Sequence, residues 1–193
     1  TITPTPTIVF QVRVNAGGAA FTDASGNLWQ ADRAYSSGSW GYVGGSTYAT
    51  SAAIANTDDD PLYQTERYWA SDALPGYRFA VPNGQYAVTF KLAEIYRTAP
   101  GRRLFDVRLE GVTVLDNVDI FALAGGKDTA APDQVFTVMV TDGELTIDFI
   151  IVPGYDTPKV SAIQVQSLGA APSSTATRTP TRTSTRTSTL PPT

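Results

Sequence analysis

The stretch YAVTFKLAEIY, residues 86–96, decides the fold because its side chains alternate in character. Every second residue from the first tyrosine is large and apolar: Tyr86, Val88, Phe90 and Leu92. The residues between them are small or polar. Successive side chains of a β-strand point to opposite faces, so this pattern predicts a strand with one buried face.

The same alternation recurs in four later runs of the chain. Their inward positions are Phe105, Val107 and Leu109; Phe136, Val138 and Val140; Leu145, Ile147, Phe149 and Ile151; and Ser161, Ile163 and Val165. Turn signals separate the runs: VPNG (81–84), EG (110–111) and TDG (141–143). No convincing helical period appears. We therefore expect an all-β fold, an antiparallel jelly-roll β-sandwich with short turns at one end and the longer, irregular segments 30–80 and 120–134 at the other.

Composition excludes several classes of function. The 193 residues include no Cys and no His, which removes disulfides, thiolate metal sites, the commonest general base and the Ser-His-Asp triad. The net charge is −4, and −7 without the three arginines near the C-terminus, so nucleic-acid binding is not expected. No run approaches the roughly 18 apolar residues of a membrane span, and no signal peptide is recognisable. We expect no cofactor, no bound metal and no membrane insertion.

Two segments of low complexity flank the predicted domain, which covers residues 8–168. Residues 1–7, TITPTPT, read as an N-terminal linker, and residues 169–193 form a Thr/Pro/Arg-rich extended tail. The tail has almost no apolar side chains to bury, and its hydroxyls suit O-glycosylation. Its arginines Arg178, Arg182 and Arg186 would attract an acidic neighbouring copy. The pattern predicts one module of a longer, secreted or cell-surface chain, from a bacterium.

Six sequence blocks occur in an order that resembles the malectin family of carbohydrate-binding domains. They are VRVNAGG (12–18), LYQTERY (62–68), VTFKLAEIY (88–96), GRRLFDVRLEG (101–111), NVDIFALAGG (117–126) and GYDTPKVSAIQV (154–165). The resemblance covers nearly all of residues 8–168. It implies a jelly-roll sandwich with a glucan-binding cleft in the loops at one end, binding of glucose-containing oligosaccharides, and no catalysis.

The resemblance also implies the positions of the binding residues. The family's pocket consists of four aromatic positions and one aspartate, which correspond here to Tyr68, Tyr96 and Asp156, with Tyr48 the better and Tyr42 the second candidate for a further tyrosine. The remaining aromatic position is occupied by Arg97, so one stacking platform is missing.

The chemistry of these residue types is consistent with sugar binding. Aromatic rings cover the apolar faces of a pyranose, and carboxylates and guanidinium groups bond its hydroxyls. Arg97 could donate to two neighbouring hydroxyls or pair with a charged sugar. Trp69, next to Tyr68, could supply the missing ring.

Other conspicuous residues have structural explanations. Tyr63, Tyr77 and Tyr86 are expected in the core, with Tyr63 on the opposite face from Tyr68. Glu94 continues the buried phase of its strand, so it needs a cation, and we expect a structural ion pair with Arg67 beneath the pocket. The run Asp58–Asp60 is expected to be a solvated acidic loop, with half of a calcium site as the alternative.

Two alternatives to a carbohydrate-binding module stay open. The first is a structural or adhesive bead of an extracellular fibre, built from repeated malectin-like domains on Thr/Pro-rich linkers. The second is a glycoside hydrolase, which needs two carboxylates about 5–10 Å apart across the scissile bond. Glu94 and Asp156 form the one pair near the expected cleft.

Overall fold

The computed structural model describes residues 10–70 and 75–169. The predicted N-terminal linker (1–7) and residues 170–193 of the tail, with Arg178, Arg182 and Arg186, lie outside these described residues.

Within the described residues, fourteen strands account for most of the regular structure. In chain order they are β1 (Gln11–Asn15), β2 (Phe21–Thr22), β3 (Leu28–Ala31), β4 (Trp40–Val43), β5 (Ser46–Ala49), β6 (Thr65–Tyr68), β7 (Gly76–Ala80), β8 (Gly84–Lys91), β9 (Phe105–Leu109), β10 (Val112–Val118), β11 (Gln134–Val140), β12 (Glu144–Ile151), β13 (Lys159–Val160) and β14 (Ala162–Ser167). The described helices are a 3-10 turn, Asp60–Leu62, and one short α-helix, α1 (Ile120–Ala124).

Two large sheets form the sandwich. One has the strand order β11-β8-β14-β1-β3-β2 and the other β10-β9-β12-β7-β4. Their inner faces share one core, in which the ring of Phe90 on β8 lies 6.1 Å from that of Phe149 on β12. The predicted all-β sandwich is confirmed. Strand pairing is antiparallel throughout the named strands except between β1 and β3, which run parallel.

The alternating runs of the sequence form the core as expected. Phe105, Val107 and Leu109 on β9 are buried, as are Ile163 and Val165 on β14. Strand β11 is an edge strand, so Phe136 and Val138 are only half-buried although they point inward. The predicted two-residue turn at 110–111 is also present: Glu110 and Gly111 both have positive φ, 49° and 75°, as a type I′ hairpin requires.

A third, smaller sheet stands where the sequence suggested irregular loops. It has the order β13-β6-β5, and β4 and β7 also fall within segment 30–80. The prediction of an irregular 30–80 segment was therefore wrong in part. Strand β5 is exposed along its whole length, so burial imposes no alternation on its sequence. This small sheet carries one wall of the candidate site.

Candidate carbohydrate-binding site

A cavity of about 260 Å³ opens between the small sheet and the loops beside it. Tyr48 on β5 and Glu66 and Tyr68 on β6 form one side. The other lining residues come from the segments that follow β8 and precede β13: Tyr96, Arg97, Arg103, Asp156 and Thr157. Tyr48, Tyr68, Tyr96, Arg97 and Asp156 were all singled out from the sequence, and the fold brings them to one place.

Strand alternation explains why β6 contributes every second residue. Glu66 and Tyr68 point to the cavity, whereas Arg67 points to the opposite side. There the Nε of Arg67 donates to Asp32 Oδ2 (2.7 Å), and its Cζ lies 3.3 Å from the ring centroid of Tyr42. A four-residue strand thus supplies the cavity with one ring and one carboxylate.

Tyr48 and Tyr96 form an aromatic corner at the cavity's edge. Their ring centroids lie 5.4 Å apart with the planes at 81°, and the two side chains are 39% and 52% exposed. Two exposed rings in contact at a cavity offer flat faces to a ligand. Tyr68 is half-buried and completes the set of three rings.

The carboxylate of Glu94 holds the turn that carries Tyr96. Its Oε1 accepts hydrogen bonds from the backbone N–H groups of Tyr96 and Arg97, each at 2.9 Å. Burial alone would raise the pKa of Glu94, but the charges of Lys159 and Arg103 outweigh it and lower the pKa below its ordinary value. Glu94 is therefore an ionised carboxylate with no exposed surface.

Arg103 joins two of the segments that line the cavity opposite β5 and β6. Its Nε donates to Glu94 Oε2 (2.7 Å), and its Nη2 lies 3.0 Å from Asp156 Oδ2. Its Nη1 donates to the carbonyl oxygen of Thr157. One buried guanidinium thus fixes the turn that follows β8 and the loop that precedes β13.

Asp156 lies between two guanidinium groups. Its Oδ2 accepts a hydrogen bond from Arg97 Nε at 2.6 Å in addition to the contact with Arg103. Burial tends to raise the pKa of Asp156, but the hydrogen bond from Arg97 and the charge of Arg103 outweigh it and lower the pKa. Asp156 raises the pKa of Arg97 in return. Both groups are charged at neutral pH.

The last ion pair connects β13 to β6. The Nζ of Lys159 donates to Glu66 and lies 3.6 Å from Glu94 Oε1, and all three side chains are buried. Burial raises the pKa of Glu66, and the charge of Lys159 offsets this only in part. The network as a whole contains three cations and three carboxylates: Arg97, Arg103 and Lys159, with Glu66, Glu94 and Asp156.

Trp69 does not belong to this cavity, and the prediction that it replaces the missing ring was wrong. Its side chain is completely buried, and its ring stacks on Phe149 at 4.6 Å. Its indole N–H donates to the carbonyl oxygen of Val43. Trp69 follows Tyr68 in an extended chain, so alternation turns it away from the cavity and into the core.

The predicted ion pair between Arg67 and Glu94 is also wrong. Arg67 pairs with Asp32, and Glu94 pairs with Arg103 and Lys159. The expectation that Glu94 is buried and paired beneath the pocket holds. The error lies in the partner, because Arg67 occupies the face of β6 that points away from the cavity.

The remaining sequence expectations concern residues outside the cavity. Tyr63, Tyr77 and Tyr86 are buried, which confirms their core assignment. Asp59 accepts a hydrogen bond from the backbone N–H of Ala24 (2.7 Å). Over residues 10–70 and 75–169, no group of three His, Cys, Asp or Glu side chains is arranged to hold a metal ion. Nor does this part of the chain contain a helix long and apolar enough to cross a membrane.

Sequence reasoning missed three charged residues and a threonine that shape the site: Glu66, Arg103, Lys159 and Thr157. A signal existed for Glu66, which shares the phase of Tyr68. None existed for Arg103 or Lys159, because nothing local distinguishes a buried arginine or lysine from an exposed one.

A family model described as "Malectin domain" matches residues 10–163. The chain belongs to the malectin domain family. This family consists of carbohydrate-binding modules, which are not catalytic. The malectin domain described here is 32% identical over 168 residues to malectin-B of Xenopus laevis, covering 79% of this chain and 58% of the relative. It is 32% identical over 170 residues to human malectin, covering 80% and 55% respectively.

The same domain occurs within much longer proteins. A probable LRR receptor-like serine/threonine-protein kinase of Arabidopsis thaliana is 28% identical over 183 residues, covering 83% of this chain and 17% of the kinase. The chain thus spans between about half and three-fifths of the malectins that it matches and a small part of the kinase.

Solved structures share the sandwich. A β-glucuronidase of Bacteroides uniformis aligns with a TM-score of 0.73 and 28% identity, over 82% of this malectin domain and 18% of that enzyme. The ANXUR2 extracellular domain of Arabidopsis thaliana aligns with a TM-score of 0.71 and 16% identity, over 82% and 49%, which shows the shared fold.

The carboxylate pair considered for glycoside hydrolysis does not have the required placement. Glu94 is fully buried and does not line the cavity. The pKa values of Glu94 and Asp156 are both lowered, whereas the general acid of a glycosidase needs a raised pKa. These two residues therefore cannot work on opposite sides of a glycosidic bond.

Proposed function

We propose that this malectin domain binds glucose-containing oligosaccharides or polysaccharides in the cavity between β5, β6 and the loops before β13. The observation that carries the proposal is the convergence of Tyr48, Tyr68 and Tyr96 with Arg97 and Asp156 around one opening. The rings offer faces for pyranose C–H groups, and the charged groups offer hydrogen bonds at the rim.

The cavity's size and shallow rim set the expected strength of binding. A few rings must offset the ordering of the sugar, so we expect dissociation constants on the order of micromolar to millimolar. Weak single sites gain avidity when copies are joined by linkers. The Thr/Pro-rich segments in the sequence support a role as one module of a larger extracellular or cell-surface protein, and we propose a bacterial origin for it.

The test is titration calorimetry of the purified domain with glucose disaccharides of several α- and β-linkages. We expect heat of binding for at least one of them, and its loss in Tyr68→Ala. Tyr155→Ala is the matched control, since Tyr155 is 44% exposed and does not line the cavity. Absence of binding to every glucan at millimolar concentration would leave the alternative, a structural or adhesive bead, as the better explanation.

The bead alternative depends on segments outside the described residues. It predicts that the Thr/Pro/Arg-rich tail contacts a neighbouring copy, through backbone bonds to a sheet edge and attraction of its arginines to an acidic body. Analytical ultracentrifugation of the chain with and without residues 170–193 tests it. Assembly that depends on the tail would favour the bead.

A further inference from the structure

Both oxygens of the Asp156 carboxylate already have partners within the protein. Two oxygens of an ionised carboxylate accept about four hydrogen bonds. In Asp156, Oδ2 accepts from Arg97 Nε at 2.6 Å and lies 3.0 Å from Arg103 Nη2, and Oδ1 accepts from the backbone N–H of Thr157 at 2.8 Å. Asp156 therefore has less capacity than a free carboxylate to accept a hydrogen bond from a ligand hydroxyl.

Arg97 is in the opposite position. In the described part of the chain, its one side-chain hydrogen bond is the Nε contact to Asp156. The side chain is 40% exposed, and it lines the cavity next to the ring of Tyr96, with Cζ 5.0 Å from the ring centroid. The bond to Asp156 orients the guanidinium, which leaves the N–H groups of Nη1 and Nη2 available to a ligand.

Among the charged groups that line the cavity, the free N–H donors of Arg97 therefore outnumber the free carboxylate oxygens. The other lining carboxylate, Glu66, is almost completely buried and bonded to Lys159. A sugar hydroxyl that accepts from Arg97 still carries its own proton, which then needs a tyrosine hydroxyl or water as its acceptor. An ionised carboxylate accepts two parallel N–H bonds from a guanidinium. Unlike a hydroxyl, it carries no proton that needs an acceptor of its own.

We propose that Arg97 determines specificity by binding the carboxylate of a uronic acid residue in the ligand. This inference rests on the proposed function and narrows its ligand to oligosaccharides in which a uronic acid lies beside glucose. The rings of Tyr48 and Tyr96 would hold a sugar face while the Nη1 and Nη2 groups of Arg97 bind the carboxylate.

The charge balance of the site permits an anionic ligand. Asp156 is the acid nearest to Arg97, and its charge is shared with Arg103 as well. Glu66 and Glu94 are each paired with a buried cation. The ligand carboxylate thus contacts a guanidinium that Asp156 orients. It does not face an acid that lacks a cation partner.

The test compares two disaccharides of the same linkage, glucosyl-glucose and glucuronosyl-glucose, by calorimetry. It is carried out at low salt and again at about 0.5 M salt, where the Debye length falls to a few Å. We expect the wild-type domain to bind the uronate about tenfold more tightly at low salt, as one charge-assisted bidentate contact allows. Salt should reduce this preference and leave the affinity for the neutral disaccharide unchanged.

Three variants make the result specific to Arg97. Arg97→Gln should abolish the preference and Arg97→Lys should keep part of it, since lysine retains the charge without the planar fork. Arg108→Gln is the matched control, because it removes an equal charge from an exposed strand position outside the cavity. Thermal unfolding of each variant verifies that it is folded.

The outcomes separate this inference from the broader proposal. Equal affinity for both disaccharides, or a preference that survives Arg97→Gln, would overturn the uronate assignment and leave glucan binding intact. Binding of neither disaccharide would overturn both.

Discussion

The Nε of Arg103 donates to Glu94 Oε2 over 2.7 Å, and neither side chain is more than 3% exposed. Glu94 in turn holds the backbone of Tyr96 and Arg97, and Arg103 also contacts Asp156 and Thr157. A single buried pair thus connects the turn that carries Tyr96 to the loop that carries Asp156.

Replacement of Arg103 should therefore affect stability and binding together. Arg103→Met leaves Glu94 as a buried carboxylate with one fewer cation, and we expect a loss of about 3–5 kcal/mol in the free energy of unfolding. Urea denaturation measures it. Sugar affinity should also fall in the fraction that stays folded at low temperature, because Asp156 and the Tyr96 turn lose their common anchor.

The double variant Arg103→Met, Glu94→Leu provides the control for this interpretation. It removes both charges at once, so it should be less destabilised than Arg103→Met alone. It should still bind sugar poorly, because the backbone bonds that Glu94 accepts are also gone. Normal binding in either variant would mean that the network does not position the site.

Tyr63 and Tyr68 should respond to substitution in opposite ways. Tyr63 is buried and Tyr68 lines the cavity. Tyr63→Ala should destabilise the domain by about 3 kcal/mol or more, as the loss of a large core aromatic does. Tyr68→Ala should remove sugar binding with little loss of stability. Chemical denaturation and calorimetry on the same two variants test both halves, and a reversed result would contradict the cavity assignment.

Tryptophan fluorescence should be a poor reporter of sugar binding. Trp29, Trp40 and Trp69 are all buried, and none lines the cavity. We expect tryptophan emission to stay constant during a titration that calorimetry shows to saturate. Trp69→Ala should cost about 3–5 kcal/mol of stability, since the ring stacks on Phe149 in the core. A shift in tryptophan emission on saturation would mean that binding rearranges the core.

Acid should weaken the fold through Asp156 and Glu94. Their pKa values in the folded state lie below the ordinary values of 3.8 and 4.5, so both contribute stability above those values. This stability is lost as the pH falls below 4.5 and then 3.8. Urea denaturation between about pH 7 and pH 2.5 measures it. In Asp156→Asn, the free energy of unfolding should fall less steeply with acid than in wild type. An identical slope would show that Asp156 does not contribute to the loss of stability in acid.

Glu66 should change the free energy of unfolding in the opposite direction as the pH varies. Burial raises its pKa in the folded state, so ionisation opposes folding as the pH rises above the ordinary value of 4.5. In Glu66→Gln, the free energy of unfolding should therefore decline less than in wild type as the pH rises from 4.5 toward neutral. An equal or steeper decline would show that the pairing with Lys159 outweighs burial.

The sequence predicted the sandwich because its central strands obey a strict period. Tyr86, Val88 and Phe90 are buried where alternation put them. The rule failed where burial does not act: β5 is exposed throughout, and nothing in its sequence distinguishes it from a loop. The same rule, applied to Tyr68 and Trp69, would have excluded the tryptophan from the cavity, since neighbours in an extended chain face opposite sides.

Ion-pair partners could not be deduced in the same way. Glu94 was recognisable as a buried acid, but Arg67 and Arg103 are equally plausible partners until the strands are placed. The partner is Arg103, nine residues further along the chain, while Arg67 turns toward Asp32. Pairing of charges depends on how separate segments meet, which single-strand periodicity does not encode.

The path of the turn at Glu94 does not depend on which side chain stands at position 97. Glu94 holds residue 97 through the backbone N–H, which every amino acid except proline possesses. The side chain at this position can therefore be exchanged while the surrounding loop keeps its path. An aromatic residue there would offer a further platform for a neutral sugar, and an arginine offers a fork for an anionic one. Position 97 is thus a place at which this scaffold can acquire a new ligand preference by a single substitution, without a new fold.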